Sequence, residues 1–254
     1  METATKPSVD IGPWVSEGWK MFTAHWGTWV KMSLIMMLPV LFPMVGYIIG
    51  YIGFIQAMMP RPTAYGVYAG PPEFPAWVFV VWGLSALGAI IGALITSYFQ
   101  IGMWKAALKQ ARGGTPEMSD MKGNGHLYGR IFLANLAIGF LTFLGLLACY
   151  IGAFVVMGWY LYAIPLIIDR DLSIGEAMRQ SKAATSQNLL MFILYAFLVG
   201  LISQVGAYAC LVGLFVTMPL KFTIDAVAYR QTFDGVRAGA APAFATAPSG
   251  PITY

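Results

Sequence analysis

Long uncharged segments alternate with short charged segments along most of the chain. Residues 32–59, 76–104, 131–168 and 189–220 contain no Asp, Glu, Lys or Arg. A helix needs about 20 apolar residues to cross about 30 Å of hydrocarbon. The first two segments are each long enough for one span, and the last two are each long enough for two helices joined by a tight turn. The pattern predicts an all-α, polytopic membrane helical bundle with about six transmembrane helices, at about 30–57, 77–104, 130–147, 150–168, 188–205 and 208–229.

The segment before the first span has the pattern of an amphipathic helix. Val15, Trp19, Phe22 and Trp26 recur at helical spacing on one face. Tryptophan is enriched at the headgroup level of membranes, where one side of its ring system meets water. We therefore expect an N-terminal interfacial helix at 12–27 that lies in the headgroup layer. Its expected interfacial anchors are Trp14, Trp19, Trp26 and Trp29.

The two ends of the chain differ in composition from the part between them. Residues 1–10 are polar and lack the apolar core of a cleaved signal peptide. Residues 231–254 form a tail rich in Ala and Pro that buries little apolar surface, so we expect it to be disordered. The sequence thus predicts one membrane domain at 11–230. Within it, Ser173 and Glu176 have the spacing of a capping box and predict the start of a short helix beside the bilayer.

The overall composition excludes several classes of protein. The 254 residues are 58% hydrophobic and 10% charged, and the mean hydropathy is +0.69. Soluble domains average about 45–50% apolar and about 25% charged residues. A soluble enzyme, a nucleic-acid binder and a disordered chain are therefore excluded, and the basic residues form no stripe that would bind nucleic acid. Cys149 and Cys210 could pair in a disulfide, but small buried side chains are the commoner role.

The basic residues indicate how the chain is oriented in the membrane. In the six-span arrangement, fourteen of the fifteen Lys and Arg residues lie on one side, and only Arg61 lies on the other. Basic residues are enriched in cytoplasmic loops. The distribution predicts a multi-pass protein with both termini in the cytoplasm. If 32–59 were instead a re-entrant hairpin, the basic loop at 105–130 would lie outside the cell.

The second half of the chain contains a predicted internal repeat. Residues 133–157 and 194–218 align without gaps, and nine of the 25 positions are identical. The repeat predicts two hairpins of similar structure, although biased composition could also produce part of this match. Glycine permits close helix approach in membranes. The expected helix-packing glycines are Gly145, Gly152, Gly206 and Gly213.

The sequence offers polar residues inside the spans but no catalytic constellation. It contains no H-E-x-x-H, C-x-x-C, phosphate-binding loop or G-x-S-x-G motif, so we expect no catalytic residue, no cofactor and no metal site. Ionisable residues inside a membrane are functional candidates by default. Lys221 and Asp225 are four residues apart on one helix face, and we favour a structural ion pair over a proton or substrate relay. The candidate intramembrane polar or ion-pair positions are Asn135, Gln204, Lys221 and Asp225.

Three segments carry a resemblance to a known group of proteins. They read W-V-S-E-G-W-K-M-F at 14–22, I-P-L-I-I-D-R-D-L-S-I-G-E-A-M-R-Q-S at 164–181, and A-V-A-Y-R at 226–230. In these segments the chain resembles a broad family of uncharacterised bacterial multi-spanning inner-membrane proteins. That family is related to the membrane domain found fused to glycerophosphoryl diester phosphodiesterases. The resemblance implies a helical membrane fold in the bacterial inner (cytoplasmic) membrane, and it implies no catalytic residue.

Two functions remain open from the sequence. The first is a non-enzymatic scaffold or oligomeric membrane-organising module. The alternative is a transporter or channel for a small or lipidic solute, with a site between the repeated hairpins. An enzyme acting on lipid has the least support, because no paired carboxylates or metal ligands lie near the predicted membrane surface. The expected partners are membrane lipids, with a homo-oligomer or another membrane protein as further candidates and no nucleic acid.

Overall fold

The computed structural model describes residues 9–59, 61–63, 66–68, 74–147, 151–208 and 213–235. Helices dominate these ranges, which confirms the all-α membrane bundle. Two three-residue strands form an antiparallel hairpin in which Arg61 pairs with Tyr68. The elements are α1 (Ile11–Ala24), α2 (Trp26–Met58), β1 (Arg61–Thr63), β2 (Gly66–Tyr68), α3 (Ala76–Ala111), a 3₁₀ helix (Met118–Met121), α4 (Gly125–Leu147), α5 (Ile151–Trp159), α6 (Ala163–Arg170), α7 (Ile174–Ser186), α8 (Leu189–Tyr208) and α9 (Leu214–Asp234).

Several predictions fall outside the described residues. They concern the polar N-terminus at 1–8, the tail at 236–254, and the two cysteines, Cys149 and Cys210. The expectation of disorder from residue 231 onward is wrong for 231–234, because α9 continues to Asp234. The predicted capping box at Ser173 and Glu176 lies within the described residues. There the Ser173 hydroxyl accepts a hydrogen bond from the Glu176 N–H at 3.4 Å. The short helix α7 therefore begins where the sequence predicts.

Four segments of the described chain are long and apolar enough to cross a membrane. They are α2, α3, α4 and Gly152–Arg170, and a fifth follows if α7 and α8, which are bent by 105°, count as one broken span. Six spans were expected; among the described residues α8 counts only as part of the bent pair, and α9 is not among the candidates. This helix carries Lys221, Asp225 and Arg230, and most of its residues from Pro219 to Arg230 are buried inside the protein. The predicted span at 208–229 is thus partly a buried core helix.

The chain divides into two compact units, whereas a single domain was expected for 11–230. One unit is Ile35–Ser97, and the other combines Met1–Leu34 with Tyr98–Tyr254. Within the first unit, α2 and α3 approach closely at Gly92. A Cβ atom there would lie 2.7 Å from the Pro39 carbonyl oxygen, so only glycine fits this contact.

In the second unit, α1 packs against α9 through the face that carries Trp14 and Gly18. A Cβ atom at Gly18 would lie 2.8 Å from the Ile224 Cα atom, and the Thr223 hydroxyl donates a hydrogen bond to the Gly18 carbonyl at 2.9 Å. Trp14 is fully buried, and its indole N–H donates to the Gln231 side chain at 2.6 Å. This face of α1 is therefore part of the protein core.

Two of the four expected tryptophan anchors are buried in the protein. Trp14 lies in the contact between α1 and α9, and Trp29 donates from Nε1 to the Gln110 side-chain oxygen at 3.0 Å. The anchor interpretation is wrong for these two, because their rings and N–H groups are satisfied by protein. Trp19 and Trp26 are exposed and remain candidates for contact with headgroups.

The repeated segments form two hairpins with equivalent glycine contacts. In the α4–α5 hairpin, a Cβ atom at Gly152 would lie 2.7 Å from the Gly145 carbonyl oxygen. In the α8–α9 hairpin, a Cβ atom at Gly213 would lie 2.6 Å from the Gly206 carbonyl oxygen. Each pair is separated by seven residues, so the two hairpins bring their backbones together at the same place in the repeat. The four glycines therefore lie where the repeat predicted close packing.

Candidate functional site

A cavity of about 770 Å³ opens where the ends of several helices meet. It lies between the end of α3, the segment at 112–122, the end of α6 and the end of α9. We call it the basic cleft, because cations outnumber carboxylates in its lining. The charged lining residues are Lys105, Lys109, Arg112, Lys122 and Arg170 together with Asp120, Asp169 and Asp234.

The helix ends place the basic cleft at the limits of two candidate spans. Lys105 and Leu108 belong to the last turns of α3, and Asp169 and Arg170 end the candidate span Gly152–Arg170. A span that ends at these residues brings them to the boundary between hydrocarbon and headgroups. The basic cleft is therefore lined by residues that lie at the ends of two candidate spans.

Arg112 is the central residue of the basic cleft. Its two terminal nitrogens donate to the two Asp169 carboxylate oxygens at 2.5 and 2.8 Å, and Nη2 also donates to Asp234 at 3.2 Å. A bidentate pair of this kind fixes the plane of the guanidinium. The hydrogen bonds to Asp169 raise the pKa of the Arg112 guanidinium above its ordinary value, so this charge is permanent.

Hydrogen bonds, a cation–π contact and an ion pair connect the end of α6 to the end of α9. The Tyr229 hydroxyl donates to Asp169 at 2.9 Å. Arg170 donates to the Phe233 carbonyl oxygen at 3.2 Å, lies 5.2 Å from the centre of the Phe233 ring, and pairs with Asp234 at 3.6 Å. These contacts hold one wall of the basic cleft in a single arrangement.

The opposite wall is built by the 3₁₀ helix and the last turns of α3. Lys109 pairs with Asp120 at 3.4 Å and with Glu117 at 3.6 Å. The 3₁₀ helix comes close to α3 because Gly102 leaves room, since a Cβ atom there would lie 2.5 Å from the Met121 Cα atom. The charged residues of both walls are thus positioned by packed backbone.

In the ion pairs between lining residues of the basic cleft, the cation is the more exposed partner, whereas Glu117, which pairs with Lys109 from outside the lining, is itself 57% exposed. The side-chain exposures are 36% for Arg112 against 10% for Asp169, and 37% for Lys109 against 15% for Asp120. Arg170 is 38% exposed, and its partner Asp234 is 26% exposed. Asp120 and Asp169 are thus largely covered, and their cations are the more exposed charges of these pairs.

The predicted ion pair on α9 is formed but lies away from the basic cleft. Lys221 donates to Asp225, and the Tyr195 hydroxyl donates to the other Asp225 oxygen at 2.6 Å. Asp225 is buried, whereas Lys221 is partly exposed. The carboxylate is thus satisfied by two neighbours inside the protein.

The other predicted polar residues do not join this pair. Asn135 donates from its side-chain nitrogen to the Gln100 side-chain oxygen at 3.0 Å, which links α4 to α3. The side chain of Gln204 lies outside the described part of the structure. Neither Asn135 nor the α9 pair lines the basic cleft. Each described residue therefore serves its own helix contact.

The sequence interpretation missed the basic cleft as a site. The basic residues at 105–130 served there only to predict the orientation of the chain, and Asp169 and Arg170 were not among the candidate site residues. The available signal was that charges of both signs follow the ends of two uncharged segments at 105–122 and 169–171. Such charges meet only if the helix ends meet, and a single sequence does not show that.

No metal cluster was found in the described ranges, where no three His, Cys, Asp or Glu side chains come together as ligands. The chain matches no protein-family model, no curated protein and no solved structure. The resemblance to the membrane domain associated with phosphodiesterases therefore stays a prediction.

Proposed function

We propose that the chain is a non-enzymatic membrane scaffold that organises lipids or protein partners around a rigid polar assembly. The observation that carries the proposal is a set of hydrogen bonds and ion pairs between distant parts of the chain, which we call the bracing. Arg230 is buried in α9, donates to the Ala111 carbonyl oxygen, and pairs with Glu17 of α1 at 2.7 Å. One side chain thus joins the first helix, the end of α3 and the last helix.

Further contacts reinforce this bracing. Gln231 accepts a hydrogen bond from Trp14 and donates one to Asp10 at 2.8 Å, and Gln110 donates to the Met21 carbonyl oxygen at 2.6 Å. Hydrogen bonds and ion pairs between buried groups of distant helices favour one rigid arrangement, and in this network only the Nε atom of Arg230 among the described Arg230 nitrogens has no hydrogen-bond partner. A fixed arrangement suits a scaffold better than a protein that must alternate between open states.

The apolar exterior supports a role among lipids and membrane partners. Large side chains such as Phe42 of α2, Ile90 of α3 and Leu190 of α8 are exposed in the described structure. An exposed apolar surface of this kind requires lipid or another protein against it. The scaffold would therefore bind its surroundings through these helix faces.

The transporter alternative has less support. It places a site between the repeated hairpins, where α5 meets α8. The Phe154 and Phe197 rings pack there edge to face, 6.1 Å apart, and a Cβ atom at Gly158 would lie 3.0 Å from Ile193. These contacts are apolar, and the candidate polar residues Asn135 and Asp225 are satisfied elsewhere, as described above.

The test of the scaffold proposal is the state of the protein in lipid. The full chain is crosslinked in native membranes, then extracted in mild detergent and weighed by native mass spectrometry. We expect either a defined oligomer or a reproducible crosslinked membrane-protein partner. A strict monomer with no crosslinked partner would contradict the proposal, and solute flux in reconstituted liposomes would favour the transporter.

A further inference from the structure

We infer that the basic cleft is a binding site for the phosphate group of an anionic phosphoester, in the first place the headgroup of an acidic phospholipid. This inference goes beyond the scaffold proposal and does not depend on oligomerisation or on a protein partner. Two sources share this chemistry, a lipid headgroup and a soluble phosphate, and the experiment below separates them.

The charge distribution of the basic cleft favours an anion. Five cations and three carboxylates line it, and in the pairs with Asp120, Asp169 and Asp234 the cation is the more exposed partner. The carboxylates of Asp169 and Asp120 are largely covered, whereas Glu117, which pairs with Lys109 from outside the lining, is exposed. A bound phosphate would therefore be attracted by the exposed cations and repelled only weakly by the covered carboxylates.

Arg112 is preorganised to donate hydrogen bonds to such an anion. A guanidinium carries five N–H donors, and the bonds from Arg112 to Asp169 and Asp234 use three of them. Because both terminal nitrogens are held by these carboxylates, the side chain loses little freedom when it binds a ligand. Fixed guanidinium groups are favoured binding partners for phosphate.

The location of the basic cleft favours a lipid as the source of the phosphate. It lies at the ends of two candidate spans, and its lining includes the apolar side chains of Leu108 and Ile168 beside the cations. A phospholipid places its phosphate at the membrane boundary and its apolar chains in the adjacent hydrocarbon, so it would meet cations and apolar side chains side by side. The volume of about 770 Å³ also exceeds what a single phosphate fills and lies within the usual range for small-molecule sites.

The experiment uses the full-length protein in a neutral detergent with three separate probes. The probes are phosphatidylglycerol, phosphatidylcholine and inorganic phosphate, and the measurements are thermal unfolding and native mass spectrometry of bound lipid. We expect phosphatidylglycerol to bind and raise the Tm more than phosphatidylcholine, which carries the same phosphate but no net charge. If inorganic phosphate raises the Tm as much as phosphatidylglycerol, the site still takes a phosphate, and its ligand is soluble.

Matched double variants locate the binding in the basic cleft. Lys105→Gln with Lys122→Gln removes two cleft charges and spares the Arg112 pairs, whereas Lys20→Gln with Lys31→Gln removes two exposed charges elsewhere. We expect the cleft variant to bind phosphatidylglycerol about tenfold more weakly or worse, and the control to bind as the wild type does. If the cleft variant does not fold, Lys122→Gln alone, at an exposed position, is expected to weaken binding about threefold or more.

Two outcomes would overturn the inference. One is equal binding of phosphatidylglycerol and phosphatidylcholine with no effect of inorganic phosphate. The other is an equal loss of affinity in the cleft variant and in the control variant, which would indicate general attraction of a basic protein surface. The oligomeric state is read from the same spectra, so failure of this inference and failure of the scaffold proposal are separately visible.

Discussion

Asp225 shows how a single charged residue is accommodated in the core. It is 1% exposed, and it is stabilised by Lys221 on its own helix and by the Tyr195 hydroxyl from α8. Lys221 keeps access to its surroundings because its side chain is 42% exposed. The buried Asp225 therefore depends on Lys221 to balance its charge more than the partly exposed Lys221 depends on Asp225.

This asymmetry predicts unequal effects of two substitutions. Lys221→Met leaves a buried carboxylate without its cation, so we expect a loss of about 3 kcal/mol in the free energy of unfolding. Asp225→Leu leaves an amine that can still reach its surroundings and a Tyr195 hydroxyl without an acceptor, so we expect a smaller loss of about 1–2 kcal/mol. Unfolding in detergent measures both.

The double variant provides the control for this pair. Lys221→Met combined with Asp225→Leu removes both charges, so we expect it to be more stable than Lys221→Met alone. Equal, small and additive effects of the two substitutions would mean that the side chains do not interact. A stable double variant that has lost a transport activity would instead support a relay.

Arg230 allows a comparison of the same change in two environments. Arg230→Gln removes the cation that joins α9 to Glu17 and Ala111 in the core, and we expect a loss of about 3 kcal/mol in stability. Arg179→Gln removes an arginine that is 77% exposed and paired with Glu176 on α7, and we expect less than about 1 kcal/mol. Similar Tm values for the two variants would show that the bracing contributes little.

At the scale of elements, the sequence predicts helices well but not the partners of their faces. The apolar stripe of Val15, Trp19, Phe22 and Trp26 indicated an amphipathic helix, and α1 is one, but the face it buries carries Trp14, Gly18 and Phe22, whereas Trp19 and Trp26 are exposed. Its buried face contacts α9, more than 200 residues away in the sequence, and not lipid. A stripe that faces lipid and a stripe that faces another apolar helix have the same pattern, so one sequence does not distinguish them.

The glycine pairs of the two hairpins were predictable because the repeat aligned them. Gly145 with Gly152 and Gly206 with Gly213 are identical in both copies, and both pairs bring backbones together. The basic cleft was not predictable in this way. Its charges come from 105–122, 169–170 and 234, and no repeat or local spacing connects these segments.

The hairpin glycines lead to a steric prediction with a matched control. Gly152→Leu places a side chain where a Cβ atom already lies 2.7 Å from the Gly145 carbonyl oxygen, so the helices must separate. We expect a loss of about 1–3 kcal/mol in stability. Gly213→Leu should behave similarly, because its Cβ atom would lie 2.6 Å from the Gly206 carbonyl oxygen.

Gly139 provides the control on the same hairpin. It is also identical in the repeat, but nothing lies within 4 Å of a Cβ atom at this position. Gly139→Leu should therefore leave the Tm unchanged or raise it, because leucine has a higher helix propensity than glycine. Equal Tm values for Gly152→Leu and Gly139→Leu would show that the close approach is not a stabilising contact.

At the scale of the whole molecule, contacts between helix ends constrain how the chain crosses a membrane. The end of α3 contacts the end of α6 through Arg112 and Asp169, and Arg230 of α9 contacts both Ala111 and α1. Groups that touch at the membrane boundary lie on the same side. The number of crossings between any two of these groups must then be even.

This rule assigns the crossings in pairs. If the four candidate spans all cross, α2 with α3 contribute two crossings, and α4 with Gly152–Arg170 contribute two more. The contacts between the helix ends then predict that α8 and the first turns of α9 either both cross or both stay on one side, which gives an even total. Hydropathy alone leaves open whether α8 and the first turns of α9 cross the membrane, and the contacts of Arg230 restrict this choice.

The last prediction tests this arrangement directly. A reporter fused before Met1 and one fused after Tyr254 should lie on the same side of the membrane, and the positive-inside distribution makes this side the cytoplasm. Val67→Cys, in β2 between α2 and α3, should react with an impermeant thiol reagent from the other side. Because Cys149 and Cys210 are native thiols, the same labelling of the parent chain is the control. Reporters on opposite sides would mean an odd number of crossings, and the contacts of Arg230 with Glu17 and Ala111 could then not form in the membrane.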